Sequence, residues 1–164
     1  MTQFAEVWQF TRSRLAFAIE GLSAEQLSWR LYPEAHNIFE IVYHLAGCEH
    51  YWAARLAGQE PASSQFEGLL EAAVLEGFLR EGVGGPFRDP KYLTAEALDE
   101  ALAYVAAELR PIIENPSQAQ LEMNLTSPIG DPVSGQEGLA RLSQHAGYHT
   151  GQIWLIRMSP RFPM

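Results

Sequence analysis

QHAGYHTGQIWLIRM, residues 144–158, sets His145 and His149 four apart in a run with helical spacing. Residues four apart on a helix stand one above the other, so both imidazoles leave the helix from one side. Leu139, Leu142, Ala146, Ile153 and Ile156 mark that side as the apolar stripe, with the two histidines within it or on its edge. A stripe bound for the core carries leucine or isoleucine at least cost. A buried imidazole instead needs partners for two ring nitrogens, or costs a few kcal/mol. Something inside the fold therefore takes those nitrogens. A divalent ion is one taker, because histidine nitrogens at i and i+4 can converge on one ion at about 2.0–2.1 Å. The pair also fits a plainer arrangement, one satisfied core histidine beside one half-exposed. A third ligand elsewhere in the chain is what separates the two readings.

Working outward, Ser134 and Glu137 form the capping box that opens this helix. Before it comes a loop rich in Pro, Gly, Ser and Asn, from Asn115 to Val133. The loop follows a helix capped by Thr94, with Leu98, Leu102, Val105, Leu109 and Ile112 on one side. Pro111 has no amide to donate and should bend or loosen that helix's last turns. At the other end of the chain, Phe4, Val7, Trp8, Thr11, Leu15 and Ile19 repeat at three and four from Thr2 to Glu20, and Gly21 supplies the stop. Ser23 and Gln26 cap one short turn, which Pro33 breaks. Asn37 and Glu40 start a second long helix with Ile38, Ile41, Val42, Leu45, Trp52 and Leu56 inward and Gly58 at its end. Residues 59–93 are less regular. A short helix from about Gln65 to Arg80 fits there, weakened by Gly68 and Gly77.

Four long amphipathic helices, without strand alternation or internal repeat, predict an all-α four-helix bundle in one domain over residues 1–164. The link over 59–93 is too long for a tight hairpin between the second and third long helices. It should cross the bundle, so the topology departs from simple up-down-up-down.

A chain of 164 residues buries roughly two-thirds of its unfolded surface without staples. The lone Cys48 rules out an intramolecular disulfide and agrees with a reducing compartment. A formal charge of −9 argues against nucleic acid as a partner, since phosphate recognition needs a basic footprint. MTQFAEVWQFTRSRL lacks the apolar core of a signal peptide. No run approaches the eighteen or so uncharged residues of a membrane span. These features predict a soluble cytoplasmic protein.

A candidate third ligand sits on the second long helix. His44 lies three after Ile41 and eight before Trp52, at the edge of the inward stripe. Bundles build metal sites from facing helices, so His44 with His145 and His149 would supply three nitrogens and leave a coordination position for substrate, the mark of a catalytic ion. By itself His44 also fits a partly exposed histidine at the core's edge.

The segment WRLYPEAHNIFEIVYHLAGCEHYW carries Trp29, Pro33, Asn37, Ile38, Ile41, His44, Glu49 and Trp52, and HAGYH follows far downstream. Together they resemble the DinB (damage-inducible) family of metalloenzymes, also called DinB/YfiT-like. The resemblance runs from the first helix to about Arg157. It implies a four-helix bundle with a long crossover and a divalent ion, zinc or nickel in known relatives, held by three histidines. Residue by residue these are His44, His145 and His149, with no departure at the ligands. Characterised relatives include thiol transferases that use low-molecular-weight thiols such as bacillithiol, mycothiol or glutathione. The resemblance therefore implies metal-activated thiolate adding to an electrophile. The alternatives are a metal-dependent hydrolase and a non-catalytic stress-response module in which the ion only orders the bundle. It also implies a homodimer, of which the residues themselves give no sign.

Around this centre, Glu40 reads first as the capping partner of Asn37 and second as acceptor of His44's other ring proton. Tyr51, Tyr148 and Gln152 are candidates to line a pocket, Gln152 by touching substrate. Glu49 is turned away from His44 and suits a charge pair with the N-terminal segment. Cys48 shares a face with His44, as a small buried residue or else a soft ligand or nucleophile. His36 and His50 read as surface residues outside the site. No Ser-His-Asp order, phosphate-cradling loop or redox cysteine pair supports other chemistries.

Overall fold

The computed structural model describes residues 2–59, 64–76 and 90–164. Its elements are α1 (Gln3–Ile19), α2 (Ala24–Ser28), α3 (Ile38–Leu56), α4 (Gln65–Glu76), α5 (Ala95–Glu114), α6 (Gln118–Glu122), β1 (Asn124–Thr126), β2 (Pro132–Ser134) and α7 (Gly135–Arg157). Among the described residues the fold is all-α apart from the short β1–β2 pair. Among the described residues no helix is long and apolar enough to cross a membrane.

Side-chain caps set the helix starts. Thr2, Ser23, Asn37, Thr94, Ser117 and Ser134 each accept from the backbone amide three residues on, and at Ser23, Asn37, Ser117 and Ser134 a Gln or Glu closes the box in return. Gly21 and Gly58 take the positive φ that ends α1 and α3. α5 continues through Pro111 to Glu114 without a break. Of the short helix expected over residues 65–80, α4 accounts for residues up to Glu76, and residues 77–80 lie outside the described set.

Three expectations need correction. First, β1 and β2 pair antiparallel, Leu125 opposite Val133, inside the stretch read as loop. Three-residue strands are too short to show alternation, and their order comes from packing under α3, where Tyr51 donates its hydroxyl to Thr126 O at 2.6 Å. Second, Val7 is 49 % exposed, and Ala5 and Ala18 are buried in the positions that face the neighbouring helices. α1 touches α7 and, less closely, α5, so its buried arc is narrow. Third, α3 has no single inward stripe: every residue except Arg55 is buried. It is packed by α4, α5 and α7 at once.

The long helices close a ring of contacts running α1, α7, α3, α5 and back to α1, with α4 laid on the outside of α3. α1 and α3, consecutive long helices, therefore face each other across the interior. Glu49 of α3 meets Trp8 Nε1 at 3.2 Å and Arg12 Nη1 at 3.3 Å there. This is the charge pair with the N-terminal segment that the sequence suggests.

Candidate metal centre

The phase of α3 is set at its start. Asn37 Oδ1 accepts from Glu40 N at 2.9 Å while Glu40 Oε2 accepts from Asn37 N at 3.0 Å, and Arg30 clamps Glu40 with contacts of 2.8 and 2.6 Å. Burial alone would raise the Glu40 carboxyl, but hydrogen bonds from His36, Arg30 and Asn37 outweigh it and hold the group down at about 2. With the helix started there, His44 falls one turn further on, on a side packed by both α4 and α7.

His145 and His149 arrive from α7 as the four-residue spacing requires. His44 Nε2 stands 3.0 Å from His145 Nε2, and His149 Nε2 stands 2.9 Å from the same atom. One ligand atom from each residue lies within 4.8 Å of the other two. The three rings meet nearly edge to face, at interplanar angles of 77°, 72° and 89°.

The opposite nitrogens set the tautomers. His44 Nδ1 faces Ala73 O of α4 at 3.2 Å, and His149 Nδ1 faces Gln152 Oε1 at 2.6 Å. A carbonyl oxygen can only accept, so both Nδ1 atoms carry the hydrogen and both Nε2 atoms present lone pairs inward. Gln152 is itself oriented by donating Nε2 to Tyr148 Oη at 3.1 Å. Burial holds all three imidazoles neutral. It pushes His44 down to about 3, aided by its two neighbours, and His145 down to about 4, aided by His149. His149 is lowered by burial too, with Gln152 pulling back.

The arrangement fits a divalent ion. Two nitrogens bound to one ion at about 2.0–2.1 Å, with bond angles near 90–110°, stand about 2.9–3.4 Å apart, as both pairs that share His145 Nε2 do. A proton on His145 Nε2 would reach one neighbour and leave the other lone pair facing a lone pair. A single cation satisfies all three.

The other candidates divide. Tyr148 is 56 % exposed with its ring 4.9 Å from that of His149, on the rim of the centre. Gln152 belongs to the histidine it orients. Glu40 does not take the His44 ring proton, because Ala73 O does. Tyr51 is buried with its hydroxyl committed to the β1–β2 pair. Cys48 is buried 3.7 Å from His44 Nε2, and burial pushes its thiol up to about 12, so it stands there as a neutral thiol. The surface reading of His50 is wrong: it is 3 % exposed, because α5 covers that side of α3, and it pairs with Glu108 at 2.7 Å. His36 is half-buried against Glu40 at 3.5 Å, and a charge on it would be felt at both His44 and His149. Sequence reasoning missed the Ala73 carbonyl. Its one trace was Gly47, a glycine inside a helix one turn past His44, which signals close backbone approach.

A crystal structure described as a conserved protein from Enterococcus faecalis has the same fold, with a TM-score of 0.67 at 16 % identity over 94 % of this chain and 92 % of that one. No functionally curated protein matches the chain significantly. The DinB superfamily profile matches residues 8–153, a span that includes His44, His145 and His149, and the chain therefore belongs to the DinB superfamily.

Proposed function

We propose that this chain is a metal-dependent enzyme in which His44, His145 and His149 hold one divalent ion, zinc or nickel, and that it transfers a low-molecular-weight thiol to a small electrophile. The carrying observation is the meeting of three Nε2 atoms, two of them held as acceptors by bonds on the far side of the ring. A bound ion of this kind lowers the pKa of a thiol or water at its remaining position. The protein's own contribution is to keep three imidazoles neutral and partly screened from water, with two of them, His44 and His149, fixed in tautomer.

One observation favours the thiol over water. Metal-dependent hydrolases commonly set a carboxylate base beside the metal-bound water, and among the described residues no carboxylate joins the histidine group. Glu40 is held by Arg30, and Glu49 by Arg12 and Trp8. A thiol whose pKa the ion has already lowered needs no such base.

The test is metal analysis of protein purified without an affinity tag, followed by transferase assays with bacillithiol, mycothiol and glutathione. Stoichiometric metal in the native protein, its loss in His149→Ala, and a sulfur-to-metal absorption band when thiol meets the cobalt form are the expected results. Equal transferase rates in native protein and variant would overturn the reading. A cobalt form that turns over an ester without a thiol band would favour the hydrolase.

A further inference from the structure

We infer that Gly47 is a positioning residue for the three-histidine centre: lacking a Cβ, it lets α4 settle against α3 closely enough for the Ala73 carbonyl to take the His44 Nδ1 hydrogen. The inference deepens the metal reading and rests on it for its functional meaning. Gly47 lies three residues after His44 and so shares its side of α3. A Cβ built there would lie 2.4 Å from Leu70 O, 3.1 Å from Val74 Cγ2 and 3.3 Å from Ala73 Cβ. The tightest of these contacts is backbone, which no rotamer change relieves, so α4 as a whole would have to lift away.

Leu70 and Ala73 are three apart on α4, so the surface pressed against Gly47 is the one that presents Ala73 O to His44. That bond is 3.2 Å long, already at the far end of the normal range for N–H···O. A shift of a few tenths of an ångström breaks it. The His44 ring then loses an acceptor that favours hydrogen on Nδ1, and the tautomer with hydrogen on Nε2, which cannot bind the ion through that atom, gains population. α4 is further secured from outside by Tyr104, whose hydroxyl donates to Glu67 Oε1 at 2.8 Å, and by Arg55 against Glu71 at 3.6 Å. The link between α3 and α5 thus carries an outer partner of the metal ligand, and by linkage a bound ion and a docked α4 must favour each other.

The discriminating variant is Gly47→Ala. Alanine is the better helix former, so α3 itself is strengthened and a loss at the centre cannot come from its unravelling. Nitrogen-15 spectra of the histidine side chains in metal-free protein report the tautomer directly. The native His44 should show the Nδ1–H pattern, and Gly47→Ala should show a substantial Nε2–H share. Zinc affinity, measured by chelator competition, should fall by about 10- to 100-fold in the variant.

Hydrogen exchange on the native protein covers the case in which the variant does not fold: zinc should increase protection of the α4 amides. An unchanged His44 tautomer with zinc affinity within twofold of native would overturn the inference, as would stoichiometric zinc binding that leaves α4 exchange unaltered. A native protein that binds no zinc would instead sink the metal reading, and the tautomer spectra would still decide the role of Gly47.

Discussion

At the scale of the single residue, the centre is governed by what touches the outer nitrogen of each ring. Gln152 Oε1 is the short partner of His149 Nδ1, at 2.6 Å. Gln152→Leu keeps the volume and removes the acceptor, so zinc affinity should drop at least about tenfold while the helical circular dichroism is retained. Chelator competition measures it, and an unchanged affinity would show that the bond does not orient the ring. The pH response follows from the same burial. An exposed histidine titrates near 6.5, whereas in the folded, metal-free protein His44 is held at about 3 and His145 at about 4. The unfolded chain therefore binds more protons below about 6.5. The stability these neutral rings contribute is complete above that pH and drains away as pH falls toward 4. Urea titrations of metal-free protein should show this decline, at up to about 1.4 kcal/mol per pH unit for each ring. Zinc-loaded protein should hold its midpoint to lower pH. Protons compete with the metal only where the buried rings titrate, so the folded protein should keep zinc below the pH of about 6 at which an exposed imidazole would release it.

At the scale of the element, the packing of α3 decides what the histidines meet. Its buried circumference accommodates polar side chains because each has a partner on a different neighbour: His44 on α4 and α7, Glu49 on α1, His50 on α5. The α3–α7 contact depends on Gly138, where a Cβ would lie 2.7 and 2.8 Å from the Trp52 ring. Trp52 is 4 % exposed and cannot swing aside. Gly138→Ala should therefore cost about 1–3 kcal/mol in urea unfolding despite its better helix propensity. Because α7 carries two of the three histidines proposed to hold the ion, the same variant should weaken zinc binding as well. A stability equal to native would mean that the two helices slide past each other freely.

At the scale of the whole molecule, the interior is crossed by a charge. Glu49 is 4 % exposed, and burial raises its carboxyl while Arg12 and Trp8 pull the other way. Removing one partner of such a pair leaves a buried charge uncompensated, so Arg12→Met should cost about 3 kcal/mol near neutral pH. The lone Glu49 would then relieve the strain by taking up a proton. A carboxyl raised above its unfolded value stabilises more as pH falls, so the deficit should be larger at pH 8 than at pH 5. Paired melts at the two values would show it, and a deficit independent of pH would contradict this account of Glu49.

What the sequence determined by itself is local. Capping boxes at Ser23, Asn37 and Ser134, stops at Gly21 and Gly58, and the four-residue spacing of His145 and His149 all concern residues within a turn or two of each other, and helical geometry translates them directly into shape. The all-α class follows from them, and the place of His44 at the edge of its helix's apolar stripe made it a candidate that the DinB resemblance selected. Only the tertiary structure decided the rest. It buried His50 under α5, wrapped α3 on every side, ordered the β1–β2 pair beneath Tyr51, and brought a backbone carbonyl of α4 to the outer nitrogen of His44. Those outcomes depend on how closely and at what angle distant helices pack. Side-chain volume summed over many residues sets that, and a missing Cβ at one glycine leaves almost no trace in the pattern of the chain.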